Sequence, residues 1–294
     1  MKFPDEYFPV KEENKQDFLD KVSNGKILSK DLSVLFCAAC KDVANVVEKS
    51  ISFCHDVGQH FTDYKIFMYE NNSTDNTVEV IKALGDSKVI LQSEFIDTAS
   101  YSRSSVTDER RCSLIANARN KYVDYINTTN SYDYIFIFDT DIEGGWSLNG
   151  IFNSIHYLEK NNNMGCMTSY CVLASEGGGD LEDFHPADWL MFDSFAFRQL
   201  NKDWDFPKYS LALHNYIKVE NGTLPIKVNS NFNGLGIYKT ECFVDNHYSI
   251  NNYGLDLHTD SEHIPFHKRV WDKGLEVLIN PSLLTSISNH KYSR

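Results

Sequence analysis

Short apolar runs alternate with helix-like patterns through the first half of the chain. Residues 33–39 and 64–69 are apolar runs typical of buried strands, and each is followed by apolar positions at helical spacing. Residues 89–91 add a third short strand, and residues 134–138, YIFIF, form a continuous apolar run of the kind found in sheets covered on both faces. The alternation predicts an α/β fold with a mostly parallel central sheet and helices on both faces. In such sheets, ligands bind at the carboxyl ends of the strands.

The best-defined predicted helix covers residues 107–126. Thr107 can cap it, and apolar side chains recur along one side at positions 115, 118, 122 and 126. Arg111 and Arg119 lie about 80° apart around the helix axis, so two cations share one side. Arginines beside an apolar stripe need partners. Two kinds of partner are open for these side chains. One is a ligand or metal site, and the other is a structural ion pair.

The second half of the chain shows a weaker pattern. Its predicted elements are two strands, a helix and a last strand, near residues 164–170, 235–238, 265–273 and 275–279. Residues 1–30 are polar and are expected to form an arm or a short helix. Residues 31–294 are expected to form a single domain.

Composition restricts the class of protein and its partners. A hydrophobic fraction of 42% and a charged fraction of 23% are ordinary for a soluble globular protein, and no apolar run approaches the roughly 20 residues that span a bilayer. The chain starts MKFPDE, which is acidic where a secretory signal needs an apolar core, so a cytoplasmic location is expected. The seven irregularly spaced cysteines are expected to be reduced thiols. A net charge of −13 argues against a nucleic-acid partner, because phosphate backbones are bound by excess Lys and Arg.

Two aspartates follow the apolar run at residues 134–138. Alternation along an extended chain directs the carboxylates of Asp139 and Asp141 to one side and Thr140 to the other. Such a pair suits Mg²⁺ or Mn²⁺, which keep open positions for phosphate oxygens and water. The competing interpretation is a solvated acidic turn.

The context of this D-x-D segment is more informative than its spacing. Residues 203–205 repeat the spacing in a polar stretch, whereas residues 139–141 end a strongly apolar strand. They also run into residues 142–145, IEGG, which we expect to be a flexible segment that lets a ligand approach the backbone.

Several segments together resemble a known family. Residues 70–77, the pair Arg119-Asn120 and residues 138–141 are similar to segments of GT-A glycosyltransferases, and more narrowly to those of fungal capsule-associated mannosyltransferases and related viral and bacterial enzymes. The resemblance covers roughly residue 33 to the carboxyl end. It implies the Rossmann-like GT-A fold.

The resemblance implies roles at the donor site. Asp141 looks like the main metal ligand, Asp139 like a ribose or metal contact, and His290 like a third metal ligand. The residues expected to bind the nucleotide sugar are Ala38, Ala39, Glu70, Arg111, Arg119, Asp139 and Thr140. Ser73 or Asp75 is expected to cap the helix that follows rather than to contact a ligand. Residues 70–72 read Glu-Asn-Asn where many GT-A sequences have paired acids, which leaves the base open.

In the second half, residues 233–238 and 260–267 also resemble the narrower family. Glu262 is the candidate general base for an acceptor hydroxyl, and the alternative is a charge at a helix N-terminus. His263 and His267 share a helical face and are either a metal pair or packing residues. Sugars stack on aromatic rings and hydrogen-bond to carboxylates. The candidate acceptor-site residues are therefore Trp146, Trp189, Asp188 and Asp193.

These expectations describe a metal-dependent glycosyltransferase. It would use Mn²⁺ or Mg²⁺ to move a hexose or pentose from a UDP- or GDP-sugar to a saccharide or glycan acceptor, with inversion favoured. The nucleotide-binding half would span about residues 31–145 and the acceptor half about 146–294. One rival is a sugar-phosphate nucleotidyltransferase, although its usual Gly-rich loop is missing from residues 37–42, CAACKD. The other is a glycan-binding homologue without turnover.

Overall fold

The computed structural model describes residues 3, 5–97, 108–129, 131–142, 144–173, 190–191, 195–201, 204, 219–251 and 259–287. Within these residues the α-helices are α1 (Glu12–Leu28), α2 (Val47–Gly58), α3 (Thr77–Ala83), α4 (Glu109–Thr129), α5 (Leu148–Lys160) and α6 (His263–Asp272). The strands are β1 (Ser33–Cys40), β2 (Asp63–Asn71), β3 (Val89–Glu94), β4 (Tyr134–Phe138), β5 (Gly145–Trp146), β6 (Met164–Leu173), β7 (Leu190–Met191), β8 (Arg198–Gln199), β9 (Ile226–Ser230), β10 (Leu235–Lys239) and β11 (Glu276–Ile287).

One sheet runs through the described part of the chain in the order β3-β2-β1-β4-β10-β6-β11-β9-β8. The first four strands are parallel, with β1 between β2 and β4. Strand β10 is antiparallel to both β4 and β6, and β6 is again parallel to β11. The predicted mostly parallel sheet is confirmed. The parallel arrangement brings the carboxyl ends of β1, β2 and β4 to one edge.

Helices cover both faces of this sheet. A separate apolar core lies between the sheet and the helices on each face. One core contains residues of α4 and α6. The other contains residues of α2, α3 and α5. The central strands β1 and β4 contribute side chains to both cores, which explains why they read as continuous apolar runs. The predicted α/β class with helices on both faces is therefore confirmed.

Most predicted elements match the structure, with shifts at their ends. The predicted helix at 107–126 corresponds to α4, and the Asp108 carboxylate caps it by accepting from the Arg111 N–H at 3.0 Å. Thr107, the predicted cap, lies outside the described residues. Helix α6 stops before Gly274, which has a φ of +76°.

Helix α5 was not predicted from the sequence. Helix α1 packs against it. Ser147 caps α5 by accepting from the Gly150 N–H at 3.0 Å. A Cβ added at Gly25 of α1 would lie 1.8 Å from the Phe152 carbonyl oxygen, so the two helices touch through their backbones. The polar segment expected to be an arm or a short helix thus contains the 17-residue helix α1. No helix in the described ranges is long and apolar enough to cross a membrane.

Candidate active site at the carboxyl edge of the sheet

Strand β4 delivers the D-x-D segment to the carboxyl edge. The Asp139 N–H donates to the Gly234 carbonyl at 2.9 Å, and the Thr140 carbonyl accepts from the Ser50 hydroxyl at 2.8 Å. Thr140 is buried, whereas Asp139 and Asp141 are partly exposed. This pattern agrees with the expected alternation, and the backbone anchors hold the two carboxylates at the end of a rigid strand.

The glycines after the D-x-D segment pack closely, so the expectation of a flexible segment is wrong for them. The Gly144 N–H donates to the Ser286 carbonyl at 2.9 Å, and a Cβ on Gly144 would lie 2.6 Å from the Ser286 Cβ. Gly145 has a φ of +81° and pairs with Ser286 as part of β5. These glycines are needed because the chain turns tightly against β11.

Arg119 reaches the D-x-D segment from α4. Its Nη2 donates to the Asp139 Oδ1 at 3.2 Å, and its Nε donates to the Glu262 Oε1 at 2.7 Å. Although burial opposes its charge, Tyr122 and the two carboxylates hold the pKa of Arg119 above its ordinary value. Arg119 is therefore an ion-pair partner of the site. Arg111 lies about two turns earlier on α4 and is partly buried.

Glu262 immediately precedes α6 and is only 5% exposed. Its carboxylate binds Arg119 rather than forming a hydrogen bond that caps the helix. The structure thus brings together Asp139, Arg119 and Glu262, which were predicted as site residues from three distant segments.

The two histidines of α6 are packing residues. The Nδ1 of His267 lies 2.8 Å from the Ser230 hydroxyl, and its Nε2 lies 3.0 Å from the Tyr238 hydroxyl, so both ring nitrogens are engaged. The His263 ring stacks on Phe232 with centroids 4.0 Å apart. Of the two interpretations left open, packing is the one the geometry favours.

The residues predicted to lie near the nucleoside are mostly enclosed. Ala38 is fully buried, and Ala39 is partly buried. Glu70 is 2% exposed, its Oε1 accepts from the Ser73 N–H at 2.7 Å, and its Oε2 accepts from the Ser93 hydroxyl. Glu70 holds the ends of β2 and β3 together in this structure, and its role toward a nucleoside stays a prediction.

The loop after β1 is fastened to the loop after β2. Three consecutive backbone N–H groups, those of Asp42, Val43 and Ala44, donate to side-chain oxygens of the second loop at 2.9–3.0 Å. The acceptors are Ser73, Thr77 and Asp75, respectively. Asp75 also accepts from the Thr77 N–H at the start of α3, whereas Ser73 does not cap that helix. We call residues 41–46 and 72–77 the joined loops.

Four predicted residues, His290, Trp189, Asp188 and Asp193, lie outside the described residues, as do both aspartates of the second D-x-D segment, Asp203 and Asp205. Trp146, a candidate for the acceptor site, is 6% exposed and packs against Phe138 with ring centroids 5.3 Å apart. The structure therefore places Trp146 in the core. Sequence reasoning missed Phe232 and Tyr248, whose rings flank Arg119.

The carboxylates of the D-x-D segment suit a divalent ion. Within the described ranges, no three His, Cys, Asp or Glu side chains converge as a metal set. Asp139 and Asp141 nevertheless offer two partly exposed carboxylates. Magnesium sites commonly use one or two carboxylates and complete the shell with substrate phosphates and water. The residues present fit an ion of that kind.

The chain is similar to several solved structures, of which the match to GalNAc-T7 supports the fold. The chain matches GalNAc-T7, whose structure contains UDP, GalNAc and Mn²⁺, with a TM-score of 0.51 and 13% identity over 95% of this chain and 53% of that chain. It matches the mannosyltransferase PcManGT from Pyrobaculum calidifontis, in complex with GDP-Man and Mn²⁺, with a TM-score of 0.48 and 11% identity over 96% and 68% of the two chains. For S. aureus TarS the values are 0.47 and 10% over 87% and 60%.

The GalNAc-T7 match shows only the fold, because the sequence identity is low. The chain spans about half of that protein's length. The predicted GT-A fold class is confirmed. No family model matches the chain. No curated protein matches it.

Proposed function

We propose that the protein is a metal-dependent glycosyltransferase that moves a sugar from a UDP- or GDP-sugar to a saccharide or glycan acceptor. The observation that carries this proposal is the position of Asp139 and Asp141. Both carboxylates are partly exposed and follow a buried central strand at the edge where β1, β2 and β4 end. A ligand is expected at that edge in a sheet of this kind.

In this proposal Asp141 and Asp139 hold Mn²⁺ or Mg²⁺, which when bound neutralises negative charge on the departing diphosphate. Arg119 orients Asp139 from the protein side through its bond to Oδ1. His290 as a third ligand stays a prediction, as do the acceptor-site residues. Glu262 as the general base also stays a prediction, and its burial against Arg119 favours another role.

The rival assignment, a sugar-phosphate nucleotidyltransferase, is disfavoured by the joined loops. Enzymes of that kind cradle phosphates with backbone N–H groups of a loop directly after the first strand. Here the three consecutive N–H groups of residues 42–44 already donate to side chains of the neighbouring loop. They are not available to a phosphate unless the joined loops separate.

A donor screen tests the proposal. Diphosphate release from a panel of nucleoside-diphosphate sugars is measured with added Mn²⁺ for the wild type and for Asp141→Asn. We expect release from at least one donor and a loss of at least about 100-fold in the variant, because the ion stabilises the leaving group. Asp63→Asn, which removes a carboxylate from the exposed ion pair with Lys88, is the matched control and should keep full activity. Full activity of Asp141→Asn contradicts the metal assignment.

Calorimetry separates the enzyme from a glycan-binding homologue. The enzyme is expected to bind a nucleoside diphosphate only when Mn²⁺ is present. Glycan binding without any binding of Mn²⁺ or nucleotide would favour the homologue that lacks turnover.

A further inference from the structure

The guanidinium of Arg119 is held between two aromatic rings. Its Cζ lies 5.0 Å from the Phe232 ring centroid and 5.8 Å from that of Tyr248. Asn120, the next residue of α4, fixes Tyr248 by donating to its carbonyl at 2.9 Å and accepting from its N–H at 2.7 Å. The Tyr122 hydroxyl accepts from Nη1 at 3.2 Å. Residues from separate parts of the chain thus set the plane of the guanidinium.

In this orientation Arg119 joins an enclosed carboxylate to an open one. The Glu262 side chain is 6% exposed, whereas the Asp139 side chain is 39% exposed. Two carboxylates share one guanidinium, so the three groups carry a net charge of −1. The His263 Nε2 lies 3.5 Å from the Glu262 Oε1, and burial, followed by the charge of Arg119, lowers the pKa of His263 well below its ordinary value. His263 is therefore neutral and leaves this net charge unchanged.

We propose that Glu262 and Arg119 are positioning residues for the metal-binding carboxylate of Asp139. Arg119 fixes the orientation of Asp139. The negative charge of Glu262 compensates part of the positive charge of Arg119. Without the charge of Glu262, Asp139 and Arg119 would form a neutral pair, and a divalent ion at Asp139 and Asp141 would meet one negative charge fewer. This inference rests on the proposed metal site and extends it to residues that do not touch the ion.

The role differs measurably from that of a general base. Loss of a base lowers kcat at every Mn²⁺ concentration and leaves the affinity for Mn²⁺ intact. Loss of a positioning carboxylate weakens Mn²⁺ binding, and the rate recovers when Mn²⁺ is saturating. Glu262→Gln separates the two roles, because glutamine keeps the shape and an acceptor oxygen for Arg119 but removes the charge.

The experiment is calorimetric titration of Mn²⁺ into the full chain without donor. We expect Glu262→Gln and Arg119→Lys to weaken Mn²⁺ binding by about 10- to 100-fold, the range typical of residues that hold metal ligands in place. Lysine keeps the charge but cannot bind two carboxylates through one planar fork. Asp63→Asn changes the net charge of the chain equally at an exposed ion pair and should bind within about twofold of wild type. In the diphosphate-release assay, saturating Mn²⁺ should restore most of the rate of Glu262→Gln.

Three results would overturn the inference, and they have different meanings. Unchanged Mn²⁺ affinity in Glu262→Gln removes the positioning role. Weakened binding in Glu262→Gln but not in Arg119→Lys shows that Glu262 acts on the ion without Arg119. Equal Mn²⁺ binding by wild type and Asp141→Asn overturns the proposed metal site itself. If circular dichroism shows that Arg119→Lys does not fold, Phe232→Leu replaces it, because it removes the ring beside Arg119 and keeps both carboxylates, and it should weaken binding in the same direction.

Discussion

Arg119 and His267 are both buried, and they meet the cost of burial in different ways. A buried charge needs an opposite charge and hydrogen bonds. Arg119 keeps its charge because Glu262 and Asp139 accept from it. His267 gives up its charge instead, since burial lowers its pKa to about 3. The charged Arg119 of the site and the neutral His267 of the core thus reflect the same constraint, the cost of burying a charge.

The pKa of His267 predicts a loss of stability in mild acid. The unfolded imidazole takes up a proton below its ordinary pKa of 6.5, whereas the folded one stays neutral down to about pH 3, so the unfolded state binds more protons between these values. The contribution of His267 is therefore complete above pH 6.5 and is lost as the pH falls. Between pH 5 and 6, the unfolding free energy of wild type should fall by about 1 kcal/mol per pH unit more steeply than that of His267→Gln. Denaturant titrations measure both slopes, and equal slopes would contradict the prediction.

At the scale of elements, glycines allow the closest approaches between layers. A Cβ at Gly150 of α5 would lie 1.9 Å from the Ser282 carbonyl oxygen, and one at Gly25 of α1 would lie 1.8 Å from that of Phe152. Helix α5 therefore packs tightly against β11 on one side and against α1 on the other. The close packing of β11, α5 and α1 therefore depends on glycines, which have no side chain.

Gly25→Ala tests the contact between α1 and α5. Alanine favours a helix over glycine by about 1 kcal/mol, but here its methyl group would force the helices apart, so we expect a net loss of about 1–3 kcal/mol in unfolding free energy. Ser23→Ala, at an exposed position of the same helix, is the control and should be neutral or slightly stabilising. Thermal and urea unfolding report the difference. A Gly25→Ala protein as stable as the control would show that the helices do not approach so closely.

At the scale of the whole molecule, the sheet unites the two halves of the chain. Strand β10 comes from the second half but is hydrogen-bonded between β4 and β6. The apolar cores on the two faces each contain residues from both halves. Cutting the chain near residue 145 would therefore expose the middle of the sheet, and we infer that the halves fold together.

One cooperative unfolding transition is the expected result. Midpoints from far-ultraviolet circular dichroism and tryptophan fluorescence should coincide, because neither half retains a complete core alone. Mn²⁺ and a nucleoside diphosphate together, at about 100 times the dissociation constant, should stabilise the protein by about 2.7 kcal/mol. Asp141→Asn should lose that stabilisation and keep the single transition. Two separate transitions would contradict the single-domain proposal.

Elements with strong local periodicity could be predicted from the sequence. Burial on both faces makes β1 and β4 continuously apolar, and burial on one side gives α4 its stripe. Helix α5 was not predicted although its apolar positions keep helical spacing, because Gly150 and the two asparagines, Asn149 and Asn153, are poor helix formers.

The pattern of apolar positions was enough to predict the alternation of strands and helices in the first half, the fold class, and the position of Asp139 and Asp141 directly after a buried strand. Tertiary packing was needed to join Arg119 to Asp139 and to Glu262, which lies 143 residues after Arg119 in the chain. It also decided that Glu70 turns inward and that His267 is a core side chain. This difference arises because periodicity records whether a position is buried, whereas the partner of a buried charge depends on which distant elements packing brings together.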